Sequence, residues 1–154
     1  IVRTALRIWI DGDACPNKIK DILFKAAIRT KTEVIIVANH FASIPASRFI
    51  KRVQVASGFD VADNKITDNI KACDLVITAD IPLANDVVQK NAIALNPRGE
   101  LYTKANIQQT LAMRNFNESL RENQLISGGA AKLSATEIRQ FANHLDKLIT
   151  QKRQ

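Results

Sequence analysis

Leu6-Arg7-Ile8-Trp9-Ile10, followed by Asp11-Gly12-Asp13-Ala14-Cys15 and Pro16, is the stretch that decides the architecture; its counterpart is Leu75-Val76-Ile77-Thr78-Ala79 and Asp80. Each is a short apolar run ended by turn residues, as expected of a strand buried on both faces of a sheet. Leu6 to Ile10 reads as the first strand and Asp11 to Cys15 as the turn leaving it. Pro16 suits the first position of a helix, where its missing N–H costs nothing. Ile19, Ile22, Leu23, Ala26 and Ala27 then recur at helical spacing and define a buried face.

Outward from that unit the pattern repeats. Glu33 to Ala38 reads as a second strand, Ala46 to Ile50 as a short helix and Arg52 to Ala56 as a third strand. Asp63 to Ala72 suits a helix, Leu75 to Ala79 the fourth strand, Pro82 to Lys90 a helix and Ala92 to Leu95 a short fifth strand. Alternating β and α elements imply an α/β fold with a parallel sheet covered on both faces. After Asn96-Pro97-Arg98-Gly99 the chain turns polar and helical, over Lys104 to Glu122 and Ser134 to Gln151, separated by Ser127-Gly128-Gly129. Ser134 and Glu137 match a capping box, and Ile138, Phe141, Leu145 and Leu148 form an apolar stripe expected to dock on the sheet. The expected organisation is one domain over 1–154, with the helical segments from about residue 104 packed on it.

Composition narrows the function classes. A chain of 154 residues can bury most of the surface its unfolded form exposes, and its 46% hydrophobic and 24% charged content is that of a globular protein. The apolar runs fall far below the ~20 residues that span a bilayer, and Arg3 and Arg7 interrupt the opening where a signal peptide would be apolar. The expected location is the cytoplasm. Two cysteines, Cys15 and Cys73, are too few for a disulfide framework or a four-ligand zinc site. The formal net charge of +7 favours approach to a polyanion, RNA included.

In an open parallel sheet, ligands collect beyond the carboxyl ends of the strands where strand order reverses. Asp11 and Asp13 directly follow the first strand and Asp80 the fourth, so an order of 3-2-1-4-5 makes them converge. Asp63, at the start of the helix before the fourth strand, supplies a further carboxylate. Such a cluster stays ionised most simply around a cation, and hard oxygen donors favour Mg²⁺ or Mn²⁺. The competing reading is local: Asp11 or Asp13 caps the first helix, and Asp63 and Asp74 sit in turns.

Other residues carry weaker signals. Cys15 lies at the amino end of the first helix, where the dipole lowers a thiol pKa; otherwise it is a small, partly buried turn residue. His40 faces the same carboxyl end of the sheet, as a functional group or as a loop residue. Ser43, Ser47, Arg48, Lys51 and Arg52 form a basic stretch suited to phosphate, as is Arg98 beside Gly99; the alternative is a solvated surface. Trp9 and Phe24 read as core.

Four segments taken together resemble a known family: Trp9-Ile-Asp-Gly-Asp-Ala-Cys-Pro16, Gly58-Phe-Asp-Val-Ala-Asp-Asn64, Asp74-Leu-Val-Ile-Thr-Ala-Asp-Ile-Pro-Leu-Ala84 and Ala94-Leu-Asn-Pro-Arg-Gly-Glu100. In this order they are similar to the bacterial YaiI/YqxD family, also called UPF0178 or DUF188, from Ile8 to about Leu148. That family is grouped with the PIN-like domains, many of them metal-dependent ribonucleases with a three-layer fold and a 3-2-1-4-5 sheet. The resemblance implies that Asp11, Asp13, Asp63 and Asp80 correspond to the acidic cluster. Membership of that grouping does not itself assign an activity; joined to the residue reading above, the leading expectation is a Mg²⁺- or Mn²⁺-dependent nuclease acting on RNA, with Asp11, Asp13 and Asp80 catalytic and Arg48, Arg52 and Arg98 positioning substrate. The family pattern reads Asp-Ala-Asp-Ala-Cys-Pro, and Gly12 stands here for the first Ala, a change expected to loosen the turn slightly.

Two alternatives stand beside that reading. Asp11-Gly12-Asp13 after a first strand also resembles the nucleophile and acid pair of haloacid dehalogenase-like phosphatases, in which the first Asp attacks phosphorus. The third possibility is a basic RNA-binding or regulatory module that keeps an acidic pocket without turnover.

Overall fold

A computed structural model describes residues 6–58, 60–122 and 132–153. The strands are β1 (Arg7–Asp11), β2 (Glu33–Ala38), β3 (Ile50–Gln54), β4 (Leu75–Ile77), β5 (Ile93–Leu95) and β6 (Leu101–Tyr102). The helices are α1 (Asn17–Thr30), α2 (Val61–Asn69), α3 (Ile81–Gln89), α4 (Ile107–Glu122) and α5 (Ala135–Arg153). The sheet runs β3-β2-β1-β4-β5-β6, parallel except for the antiparallel β5–β6 pair. The expected 3-2-1-4-5 order is present, with one strand added at its edge. The Ser127-Gly128-Gly129 break and residues 1–5 lie outside the described residues.

Strand alternation sorts the core into two layers. Ile8, Ile10, Val34, Ile36, Leu75 and Ile77 face α1 and α5, where Leu23, Phe24, Phe141, Leu145 and Ile149 close the layer. Trp9, Ile35, Val37 and Val76 point the other way, onto Ile66 of α2, Leu83, Val87 and Val88 of α3, and Ile107 of α4. Helices on both faces leave only the strand ends open to ligands, which is why the carboxyl ends of β1 and β4 matter. No helix among the described residues is long and apolar enough to cross a membrane.

Several local expectations are corrected. The helix expected over Ala46 to Ile50 is absent: Ser47 Oγ accepts the Phe49 N–H at 3.1 Å and Ser47 O accepts the Ile50 N–H at 3.3 Å, a turn. Five residues cannot offset the cost of helix nucleation, and the Ser47 hydroxyl competes for the backbone. The third strand accordingly begins two residues early, with Ile50 opposite Val34. The helix expected over Asp63 to Ala72 starts at Val61 and stops at Asn69, because Ile70 is extended. Pro16 is the N-cap of α1 rather than its first residue, its carbonyl accepting the N–H groups of Ile19 and Lys20.

The turn at 96–100 returns the chain antiparallel and forms β6, which periodicity cannot detect in two residues. Gly99 has φ 91°, and a β-carbon there would meet the Phe141 backbone nitrogen of α5 at 2.7 Å. Glycine is therefore required twice over, for its φ and for the close approach. The expected capping box forms: Ser134 Oγ accepts the Glu137 N–H at 3.1 Å, and Glu137 Oε1 accepts the Ser134 N–H at 3.0 Å. His144 Nδ1 lies 2.6 Å from Gly99 O, so the same turn is tied to α5 at two places.

At the opposite end of the sheet, Asp74 is 1% exposed. Its Oδ2 accepts from Arg7 at 2.8 Å, Trp9 Nε1 at 3.2 Å and the Lys71 N–H at 2.9 Å. Asp74 is thus a structural anchor, far from the acidic end and satisfied by protein donors.

Candidate metal-binding and active site

Pairing of Ile10 with Ile77 sets Asp11 and Thr78 side by side where β1 and β4 end. Thr78 Oγ1 donates to Asp11 Oδ2 at 3.0 Å and accepts the Asp80 N–H at 3.0 Å, so one hydroxyl links the two acidic segments. Asp80 Oδ1 accepts the Leu83 N–H at 3.0 Å and caps α3. Among the described residues, Oδ1 of Asp11 and Oδ2 of Asp80 accept no hydrogen bond. Neither Asp11 nor Asp13 caps α1, whose N-cap makes no side-chain hydrogen bond.

Asp13 turns toward the segment after β2. Both its oxygens accept the Asn39 N–H at 3.1 Å, and His40 Nδ1 stands 2.7 Å from Oδ1. His40 is therefore no unconstrained loop residue; it holds Asp13. Asp63 enters from the first turn of α2, behind the N-cap Asp60.

Asp11, Asp13, Asp60, Asp63 and Asp80 line one open cleft of about 340 Å³ with Ala14, Asn39 and Gly58. Burial raises the Asp11 carboxyl, Thr78 opposes that shift, and the charges of Asp80 and Asp13 add to it. Burial, then Asp80 and Asp11, raises Asp63 from an ordinary 3.8 to about 6. Crowded carboxylates make ionisation costly, and among the described residues no Lys or Arg lines this cleft to relieve it.

The donor set fits a hard divalent cation, with a restriction. Among the described residues no three acidic, His or Cys side chains stand close enough to enclose an ion. The arrangement instead suits an ion such as Mg²⁺, which keeps several waters and is commonly held through one or two carboxylates plus substrate phosphate.

The basic candidates are not in the cleft. Arg48 lies over the Phe49 ring at 4.9 Å. Arg52 lies over the Phe41 ring at 3.9 Å and donates to Ala42 O at 3.4 Å. Arg98 donates to Glu137 at 2.7 Å and lines a neighbouring cavity of about 370 Å³ with Lys132, Asn96 and Pro16. Ala14 borders both cavities, so they adjoin.

Of the two readings of Cys15, the buried turn residue holds and the thiol activated by the helix dipole does not. The side chain is 8% exposed, and burial pushes the thiol up to about 12, with Lys20 only partly opposing it. Desolvation outweighs the helix dipole. Gly12 does not loosen its turn either. Its N–H donates to Val37 O at 2.8 Å, and Ile36 occupies the space a β-carbon would take, with Cγ1 at 2.7 Å from that position.

Sequence reasoning missed Thr78, Asp60 and Asn39. Thr78, directly before Ala79-Asp80, had one usable signal: a hydroxyl at the end of an otherwise apolar strand, level with Asp11. Asp60, at φ 62°, had only its place two residues after Gly58. Asn39 contributes a backbone N–H, which side-chain type does not reveal.

A family model described as "Uncharacterized BCR, YaiI/YqxD family" (DUF188) matches residues 9–151. The chain is 56% identical over 146 residues to a UPF0178 protein of Colwellia psychrerythraea, covering 95% of this chain and 97% of that one. It is 56% identical over 147 residues to a UPF0178 protein of Marinomonas, covering 96% and 99%. A UPF0178 protein of Pectobacterium carotovorum is 53% identical over 146 residues, covering 95% and 97%. No solved structure matches the chain at a significant level.

Proposed function

The chain belongs to the YaiI/YqxD family, and from the acidic cleft of this member we propose a Mg²⁺- or Mn²⁺-dependent nuclease of PIN-like type, acting on RNA phosphodiesters in the cytoplasm. The observation that carries the reading is the gathering of Asp11, Asp13, Asp60, Asp63 and Asp80 in one open cleft, with Asp63 raised to about 6 by burial and its acidic neighbours. A cleft that concentrates negative charge at a cost to itself is explained by a cation that relieves it.

Asp11 and Asp80 would hold the ion, and Thr78 ties the two segments that carry them. Asp13, held by Asn39 and His40, and Asp63 would complete or orient the shell of the ion. The chemistry a bound ion would supply there is Lewis-acid polarisation of a phosphodiester oxygen and a more acidic, more nucleophilic water. Arg48, Arg52 and Arg98 stand outside the cleft, where they position the backbone of a strand crossing it.

The phosphatase alternative gains nothing from the cleft lining, which among the described residues includes no lysine to stabilise a covalent phosphoryl group on Asp11.

The test is calorimetric titration of Mn²⁺ into the protein beside Asp11→Asn and Asp80→Asn variants of verified fold, followed by RNA cleavage with and without metal. Saturable binding and cleavage lost in both variants are expected. Cleavage that persists in EDTA, or an acyl-phosphate trapped on Asp11, would overturn the reading. Metal-independent RNA binding without cleavage, unchanged in both variants, identifies a binding module instead.

A further inference from the structure

Phe41 is 63% exposed, and the Arg52 guanidinium stands 3.9 Å from the centre of its ring. Neither packing nor edge protection explains it. The charged residues of β3 blunt an edge strand, but an exposed aromatic on the adjoining loop does the opposite.

Its position is informative. Asn39 lines the acidic cleft, His40 holds Asp13 and Phe41 follows directly. At 3.8 Å per residue, the Cα of Phe41 lies within roughly 8 Å of that of Asn39, about the reach of one nucleotide step. Arg52 belongs to the edge strand β3 and also donates to Ala42 O at 3.4 Å, which fixes the guanidinium beside the Phe41 loop. The ring thus carries a cation, where the cleft lining is acidic.

We propose that Phe41 and Arg52 form a stacking platform that receives a nucleobase of a single-stranded RNA one step from the acidic cleft. The inference rests on the RNA substrate of the preceding section and adds where and how a base is held. A ring backed by a guanidinium on one face offers its remaining surface to a base, and the charge attracts the adjoining phosphate. Stacking is sequence-tolerant, because every base has a π-face, so the platform grips single strands over duplexes, whose bases are already stacked.

The test is fluorescence anisotropy of a labelled oligouridine RNA and of an abasic strand of equal length, both in EDTA, with wild type, Phe41→Ala and Phe41→Trp. Phe41→Ala is expected to weaken oligouridine binding by at least about fivefold, Phe41→Trp to retain it, and the abasic strand to bind all three proteins alike. Equal affinity of wild type and Phe41→Ala for oligouridine overturns the proposal, as does an equal loss on both strands. A change in sedimenting mass in Phe41→Ala with unchanged RNA affinity overturns it in favour of a protein contact. EDTA separates the two readings: Phe41-dependent binding without metal-dependent cleavage keeps the platform and rejects the nuclease, whereas cleavage with no Phe41 effect does the reverse.

Discussion

Replacing Asp63 by Asn is expected to stabilise the metal-free protein, and only above a defined pH. Asp63 accepts no protein hydrogen bond among the described residues, so the amide loses no partner. What it removes is a charge penalised first by burial and then by the charges of Asp80, Asp11, Asp60 and Asp86. Moving a carboxyl from 3.8 to about 6 corresponds to about 3 kcal/mol at one extreme. Solvent screening at this partly exposed position reduces that to about 1 kcal/mol.

The sign follows from linkage. Between pH 3.8 and about 6 the unfolded chain ionises Asp63 while the folded chain keeps it protonated, so wild-type stability falls as pH rises through that window. Above it the deficit is constant; below it the two proteins coincide. Thermal unfolding in EDTA should therefore give Asp63→Asn a melting temperature about 2–4 °C above wild type at pH 8, and no advantage at pH 3.5. An equal or lower melting temperature at pH 8, or the same offset at both pH values, refutes the argument that these carboxylates repel one another.

Two further outcomes test the scaffold. Asp74→Ala should cost about 3 kcal/mol in denaturant unfolding, since it leaves the buried indole N–H of Trp9 and the Lys71 N–H without their acceptor and takes the ion pair from Arg7; the fluorescence of Trp9, the sole tryptophan, reports the transition, and a loss below about 1 kcal/mol contradicts the anchor. In thiol labelling at pH 8, exposed Cys73 should react quickly and buried Cys15 only after unfolding, so that Cys73→Ser abolishes the fast phase; rapid labelling of Cys15 in that variant rejects its burial.

The sequence by itself determined the β-α alternation and the strand ends on which Asp11 and Asp80 fall. Those features are local: apolar runs of strand length, a proline at a helix start, a capping box at Ser134 and Glu137. Because a parallel sheet buried on both faces needs continuous apolar strands, β1, β2 and β4 were legible with ends displaced by no more than two residues.

Only the tertiary structure decided the rest. The two-residue β6 exists through its pairing with β5, and the turn at 47–49 replaces a helix because a strand follows at once. Thr78, Asn39 and His40 enter the site through contacts spanning 67, 26 and 27 residues. Cys15 stands where a dipole argument predicts a reactive thiol, but desolvation is set by what packs over the sulfur. Residue type and spacing specify where a carboxylate leaves a strand; its neighbours, and hence its charge state, belong to the folded arrangement of segments distant in the chain.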